Sequence, residues 1–197
     1  TEGGYFILTL YEKRVHAEDL PFFLGLMEHL AEGGFTSPRP ISAKDGRNLK
    51  EVAGRPSAII EFLDGRSVRR ITPQHCALLG QTLAQLHTIG SNFKLQRVNT
   101  LSVSNWRPLY TSCRDGGHEN MSADLLSEIE TEIGYLEDHW PTTLPSGVIH
   151  ADLFPDNVFF FPNKEAVSGL IDFYFACNDL FCYDVAICMN AWCFEPD

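Results

Sequence analysis

The feature that most constrains the fold is a polar loop followed by a predicted hairpin in the last quarter of the chain. The loop carries Asp152 and Asn157, and two apolar runs follow it at 158–161 and 167–171. Runs of this length on either side of a polar turn predict antiparallel strands. Because a hairpin returns on itself, Asp172, at the end of the second run, is expected beside the loop.

The rest of the chain divides into a strand-rich part and a helix-rich part. Strand signals and one helix precede residue 65, and helical periodicity dominates afterwards. The predicted elements are a strand at 5–11, a helix at 19–31, a turn at 45–46 between short strands, a strand at 56–63, helices at 72–90 and 122–140, mostly loop at 92–120, and a helix from 179 onward.

This order predicts an α+β protein with a β-rich N-terminal lobe at 1–65 and a mainly helical lobe at 66–197. A hinge is expected near 62–65, where a strand ends at Asp64-Gly65. The chain lacks an initiator Met, and its first residues suggest a hairpin turn into the first strand. We therefore expect a fragment, truncated at both ends.

Composition narrows the classes of partner. The net charge of −11 disfavours nucleic acid and anionic membranes, and no apolar run approaches the roughly 18 residues of a membrane span. The six cysteines form no Cys-x-x-Cys pair, which favours reduced thiols in the cytoplasm. The sequence does not determine the oligomeric state.

The Asp152, Asn157 and Asp172 set suits phosphoryl transfer. That reaction needs an oriented acceptor hydroxyl and metal ions that bridge phosphate oxygens. A carboxylate can accept the hydroxyl proton, while a second carboxylate and an amide oxygen can hold Mg²⁺. Each residue alone is more often a turn or cap residue, but their joint spacing favours the site.

Two linked motifs carry a resemblance to known proteins. His150 to Asn157 has the pattern His-x-Asp-x-x-x-x-Asn, and residues 170–173 read Leu-Ile-Asp-Phe. The chain thus resembles the kinase-like phosphotransferases, which include aminoglycoside and choline kinases. Stretches at 6–14, 20–30, 148–161 and 171–195 are similar to the bacterial homoserine kinase branch. The resemblance implies a protein-kinase-like two-lobed fold and transfer of the ATP γ-phosphate to L-homoserine.

The resemblance also implies roles for single residues. Asp152 would be the catalytic base, with Mg²⁺ held by Asn157 and Asp172. Asp184 would brace the catalytic loop. The hinge residues expected to bind the adenine of ATP are Glu61, Phe62 and Leu63.

One expected cation is absent from its usual place. Relatives carry a Lys or Arg on the first strand, and this chain has Thr9 there. Lys13 or Arg14 is the alternative phosphate contact, and Glu28 is the candidate helix partner. Which cation acts stays open.

Further features favour a small acceptor. Phe154 stands where Ser/Thr protein kinases have Lys, and only 11 residues separate Asp172 from Asp184, too few for a peptide-docking segment. The alternatives are a kinase of choline, a sugar or an aminoglycoside, a metal-dependent phosphohydrolase that uses His150, Asp152 and Asp172, and a nucleotide-binding pseudoenzyme. The sequence leaves two interpretations of Trp192 and Tyr174: core packing, or a place beside the acceptor pocket. It likewise leaves two for Asn178-Asp179: a helix cap, or a contact with the homoserine ammonium group.

Overall fold

The computed structural model describes residues 4–12, 15–116, 121–163 and 166–194. These form two compact units, one made of the described residues up to Arg97 and from Ser146 onward, the other of Val98–Pro145. The helices are α1 (Leu20–Glu32), α2 (Pro73–Gly90), α3 (Val103–Asp115), α4 (Ala123–His139) and α5 (Phe181–Trp192). The strands are β1 (Phe6–Leu10), β2 (Lys50–Val52), β3 (Arg55–Glu61), β4 (Ser146–Ile149), β5 (Val158–Phe160), β6 (Val167–Leu170) and β7 (Cys177–Leu180).

The first unit contains a three-stranded antiparallel sheet in the order β1-β3-β2. A two-residue turn joins β2 to β3, and both of its residues, Ala53 and Gly54, have positive φ. This geometry matches the right-handed twist of the flanking strands. The sheet leads directly into the predicted hinge, since β3 ends at Glu61.

Two short antiparallel pairs complete the first unit. β5 and β6 form the hairpin predicted from the sequence, with Val158 opposite Leu170. β4 pairs with β7, with Ile149 opposite Cys177. β7 was not predicted, because four residues carry little signal and their pairing with β4 is non-local.

The helices of the first unit pack on these strands. α2 begins with Pro73, and the side chain of Thr72 accepts a hydrogen bond from His75 N as its N-cap. The core is continuous from α1 to the hairpin. Its largest fully buried apolar side chains include Phe23, Leu26, Leu30, Leu86, Leu153, Phe160 and Phe173.

The second unit corrects one expectation. Residues 92–120 were predicted to be mostly loop, but α3 occupies Val103–Asp115. Pro108 lies inside this helix, and a Pro in the interior of a segment normally indicates that it is not helical. Contacts with α4 stabilise it: Arg107 makes a bidentate ion pair with Glu137, and Tyr110 Oη donates to Leu126 O.

Within the described residues, no helix combines the length and apolar character that crossing a bilayer requires. The α+β class predicted from the sequence is confirmed by the mixed helices and antiparallel strands. The lobe boundary at residues 65 and 66 stays a prediction.

Candidate active site

The loop after β4 brings Asp152 and Asn157 into direct contact. Asn157 Nδ2 donates to Asp152 O at 2.7 Å and to Asp152 Oδ2 at 2.9 Å. A 3₁₀ turn at Pro155–Asn157 allows this approach, with Asn157 N donating to Phe154 O. The amide is thereby oriented with its nitrogen toward Asp152, which leaves Asn157 Oδ1 as an oxygen that can accept a hydrogen bond or bind a metal ion.

Asp184 of α5 fixes the start of this loop. Its two carboxylate oxygens accept from the backbone N–H groups of His150 and Ala151, each at 2.9 Å. Ala151 has φ of +62°, a left-handed conformation that a non-glycine residue adopts at a cost. Because one buried carboxylate accepts from both N–H groups, it maintains this strained turn. The resemblance implied this bracing role for Asp184.

His150 links the loop to the strand end that carries Asp172. Its Nε2 lies 3.0 Å from Ile171 O, so Nε2 carries the proton. The side chain is completely buried, and burial lowers the pKa of His150 well below its usual range. A neutral His150 therefore shapes the loop and is not placed to transfer a proton.

Asp172 completes the set that the sequence predicted. Ile171 N donates to Asn157 O, which holds the strand end against the loop, and Asp172 itself has φ of +61°. Burial, and then the negative charge of Asp172, raise the pKa of Asp152, while the Asn157 hydrogen bond opposes this. A raised pKa makes Asp152 a stronger base in its ionised form.

A cleft of about 380 Å³ adjoins this cluster. Asp172 lies at one part of its wall, and the predicted hinge residues Glu61, Phe62 and Leu63 lie at another. Apolar side chains, among them Ile60 and Phe159, form much of the remaining wall. A cleft of this volume with apolar walls and a few polar groups is typical of a small-molecule site.

The structure does not bring Glu28 to this cleft. Glu28 lies on the exposed face of α1, in a separate depression with His29 and Lys94, while the neighbouring Met27 lines the cleft. Helical periodicity turns successive side chains by about 100°, so residues 27 and 28 cannot both face it. A nucleotide role for Glu28 has no geometric support.

The next question is which Lys or Arg replaces the cation that relatives carry on the first strand. Lys13 and Arg14 lie outside the described residues. Thr9 does line the cleft, and its side chain hydrogen-bonds Tyr174. Among the described residues that line the cleft there is no Lys or Arg.

Sequence reasoning missed two supports of the loop. His87 Nε2, from α2, donates to Asp184 Oδ2 at 2.9 Å. Trp192 is buried and its Nε1 donates to Leu153 O at 2.7 Å. A buried indole N–H needs an acceptor, so a Trp in an apolar helix could have indicated that Trp192 contacts a nearby backbone carbonyl. Nothing local in the sequence connects His87 to Asp184.

The donor set is also compatible with Mg²⁺. Asn157 Oδ1 and the Asp172 carboxylate are hard oxygen ligands, and Mg²⁺ usually takes few protein ligands and fills its shell with phosphate and water oxygens. Within the part of the chain that the structure describes, no group of three or more His, Cys, Asp and Glu residues is arranged to hold a metal. A site with two protein ligands, completed by phosphate oxygens, agrees with the two available oxygen ligands and with the lack of a larger cluster among the described residues.

Comparison with known proteins gives the class. The model of the phosphotransferase enzyme family matches residues 1–197, so the chain belongs to that family. Among curated relatives it is 58% identical to a homoserine kinase of Paramagnetospirillum magneticum and 56% identical to one of Xanthobacter autotrophicus. Each match covers 100% of this chain but 61% and 60% of those proteins, so the chain spans about three fifths of their length.

Solved structures share the fold at low identity. An amicoumacin kinase in complex with AMP-PNP, Ca²⁺ and Ami superimposes with a TM-score of 0.71 at 16% identity, over 94% of this chain and 57% of the kinase. The GDP complex of aminoglycoside 2'-phosphotransferase-IIIa gives 0.72 at 16% identity, over 94% and 66%. The fold is therefore the protein-kinase-like fold of aminoglycoside phosphotransferases, as the sequence predicted.

Proposed function

We propose that this chain carries the nucleotide cleft, catalytic base and metal ligands of a kinase that transfers the ATP γ-phosphate to the side-chain hydroxyl of L-homoserine, giving O-phospho-L-homoserine. The observation that carries the reaction type is the contact between Asp152 and Asn157, held beside Asp172 at the edge of the cleft. The acceptor rests on the curated relatives, which are named homoserine kinases. We propose the cytoplasm, where ATP is present, as its location.

In this proposal the hinge holds the adenine. Backbone groups at Glu61 to Leu63 border the cleft and would hydrogen-bond the base, while Ile60 and Phe159 cover its faces. This places the phosphates toward Asp172, which lies in the same cleft. Among the described residues that line this cleft there is no cation for the phosphates, so Lys13, or Arg14 in its place, remains the proposed contact.

Asp152 would accept the hydroxyl proton of the acceptor. The Asn157 amide bonds one of its oxygens, Oδ2, and so fixes the carboxylate while Oδ1 stays available for the acceptor hydroxyl. Mg²⁺ on Asn157 and Asp172 would neutralise charge on the phosphate oxygens.

The test is an ADP-release assay on the full-length protein with L-homoserine, L-serine, L-threonine and choline in parallel. We expect homoserine to give the highest kcat/KM. Asp152→Asn should lower kcat by at least about 10²-fold, since a positioned base contributes about 10²–10⁴. Asp156→Asn is the matched control, because this neighbouring carboxylate is exposed and its charge is the smallest of the causes that shift the pKa of Asp152.

Three outcomes would contradict the proposal. Near-normal turnover by Asp152→Asn would reject the base. A clear preference for choline or another alcohol would reject the acceptor. ATP hydrolysis at a rate that homoserine leaves unchanged would favour the phosphohydrolase alternative.

A further inference from the structure

Three arginines line a depression that has no part in the proposed reaction. Arg66, Arg69 and Arg70, together with Phe161 and Pro162, surround a volume of about 630 Å³. Small-molecule sites commonly measure about 300–1,000 Å³. The depression belongs to the first unit and shares no lining residue with the nucleotide cleft.

These arginines differ from others in the chain by their lack of partners. In a protein with 26 acidic and 15 basic residues, an arginine readily finds a carboxylate. Five others do so within the described residues: Arg47, Arg55, Arg97, Arg107 and Arg114. None of the three around the depression makes an ion pair with a described residue. Within the described residues, three positive charges thus stand within five positions without an ion-pair partner, despite the net charge of −11.

The backbone that presents them is fixed. Arg66 N donates to Phe160 O at 3.1 Å, and Phe160 N donates to Arg66 O at 3.0 Å. Val68, between the arginines, is buried in the core. An anchored backbone reduces the conformational entropy that ligand binding would cost.

We propose that this depression is an anion-binding site for a small oligophosphate. The planar guanidinium forms paired hydrogen bonds with phosphate oxygens, which makes arginine well suited to phosphate recognition. Three guanidiniums match a ligand with more than one charged group, and the volume exceeds what a single tetrahedral anion fills. The proposal does not depend on the kinase activity, since none of its residues belongs to that site.

The test is calorimetric titration of the full-length protein with inorganic pyrophosphate, without divalent cations and at constant ionic strength. We expect one saturable site. The Arg69→Gln/Arg70→Gln variant should weaken binding at least about tenfold for each guanidinium, because hydrogen bonds to charged groups contribute about 1.5–3 kcal/mol. Sulfate, with a single tetrahedral group, should bind at least tenfold more weakly than pyrophosphate.

The control is Arg47→Gln/Arg55→Gln, which removes the same charge from two exposed ion pairs elsewhere. It should bind pyrophosphate like the parent. Amide chemical shifts should change at residues 66–70 and 161–162 during the titration. The proposal is overturned by absence of saturable binding, by equal weakening in the control, by shifts confined to the nucleotide cleft, or by equal affinity for sulfate. Circular dichroism of both variants verifies folding.

Discussion

At the scale of single residues, the site depends on carboxylates that differ in their surroundings. Asp184 is fully buried and accepts three hydrogen bonds, whereas Asp152 is partly exposed and accepts one side-chain bond from Asn157. The first arrangement favours a permanent charge that holds backbone groups in place. The second leaves a carboxylate that can exchange a proton.

Removing the charge of Asp184 should loosen the catalytic loop. In Asp184→Asn one oxygen becomes an NH₂ group that faces backbone N–H, so a buried donor loses its acceptor. We expect the free energy of unfolding to fall by about 2–4 kcal/mol, measured by urea denaturation. Asp45→Asn is the control, since its partners Lys50 and Arg47 are on the surface and such pairs contribute at most about 1 kcal/mol. Equal effects of the two substitutions would contradict the bracing role.

The pKa of Asp152 should report metal binding. The negative charge of Asp172 raises this pKa, so Mg²⁺ on Asp172 should lower it toward the ordinary value for aspartate. Carboxyl ¹³C NMR titration with and without Mg²⁺ measures the change. In Asp172→Asn the pKa should already be lower, and Mg²⁺ should no longer shift it. A pKa that Mg²⁺ leaves unchanged in the parent would argue against Asp172 as a ligand.

At the scale of secondary-structure elements, close backbone approach holds the hinge against the β5–β6 hairpin. Gly65 has φ of +122°, and a Cβ there would lie 2.3 Å from Ser168 Oγ and 2.7 Å from Phe160 O. The predicted hinge and the hairpin that Asn157 and Asp172 flank are thereby positioned together, which places the predicted adenine contacts near the proposed metal ligands.

Gly65→Ala should therefore destabilise the protein. Both the left-handed backbone and the contact with Phe160 O oppose the methyl group, and we expect a loss of about 2–4 kcal/mol in urea denaturation. Gly80→Ala is the control, because Gly80 is exposed on α2 and an added Cβ meets no atom within 4 Å. That change should instead stabilise by about 0.5–1 kcal/mol. Gly65→Ala as stable as the parent would contradict the close packing.

Prediction from sequence worked where the signal was local. α1, α2 and α4 were predicted within two residues of their observed ends, because each combines an apolar period with a cap or a helix-starting Pro. α3 was missed because its stability comes from pairing with α4, and β7 because its partner is distant. Glu28 was placed at the nucleotide by analogy, and it is not among the described residues that line the cleft, where α1 contributes Met27.

For the molecule as a whole, the buried neutral His150 couples stability to pH. Burial lowers its pKa in the folded protein, so the unfolded chain binds a proton below about pH 6.5 that the folded state does not. The stabilisation is present above that pH and is lost as the pH falls toward the lowered folded pKa. The slope from this residue approaches about 1.4 kcal/mol per pH unit.

Urea denaturation between about pH 7.5 and pH 5.5 measures this slope. His150→Gln keeps a donor for Ile171 O but does not titrate, so its stability should decline less over this range. His139→Gln removes an exposed histidine and should keep the parent slope. A slope that is the same in the parent and in His150→Gln would contradict a lowered pKa for His150.

The sequence by itself predicted most of the elements, the α+β class and a site at Asp152, Asn157 and Asp172, because motif spacing and hydrophobic period are local properties of the chain. Only the tertiary structure decided that Asn157 contacts Asp152, that His87 supports Asp184, and that Met27, and not Glu28, lines the cleft. The same holds for Arg66, Arg69 and Arg70, which make no ion pair with any residue that the structure describes, since an ion pair depends on which side chains packing brings together across the chain.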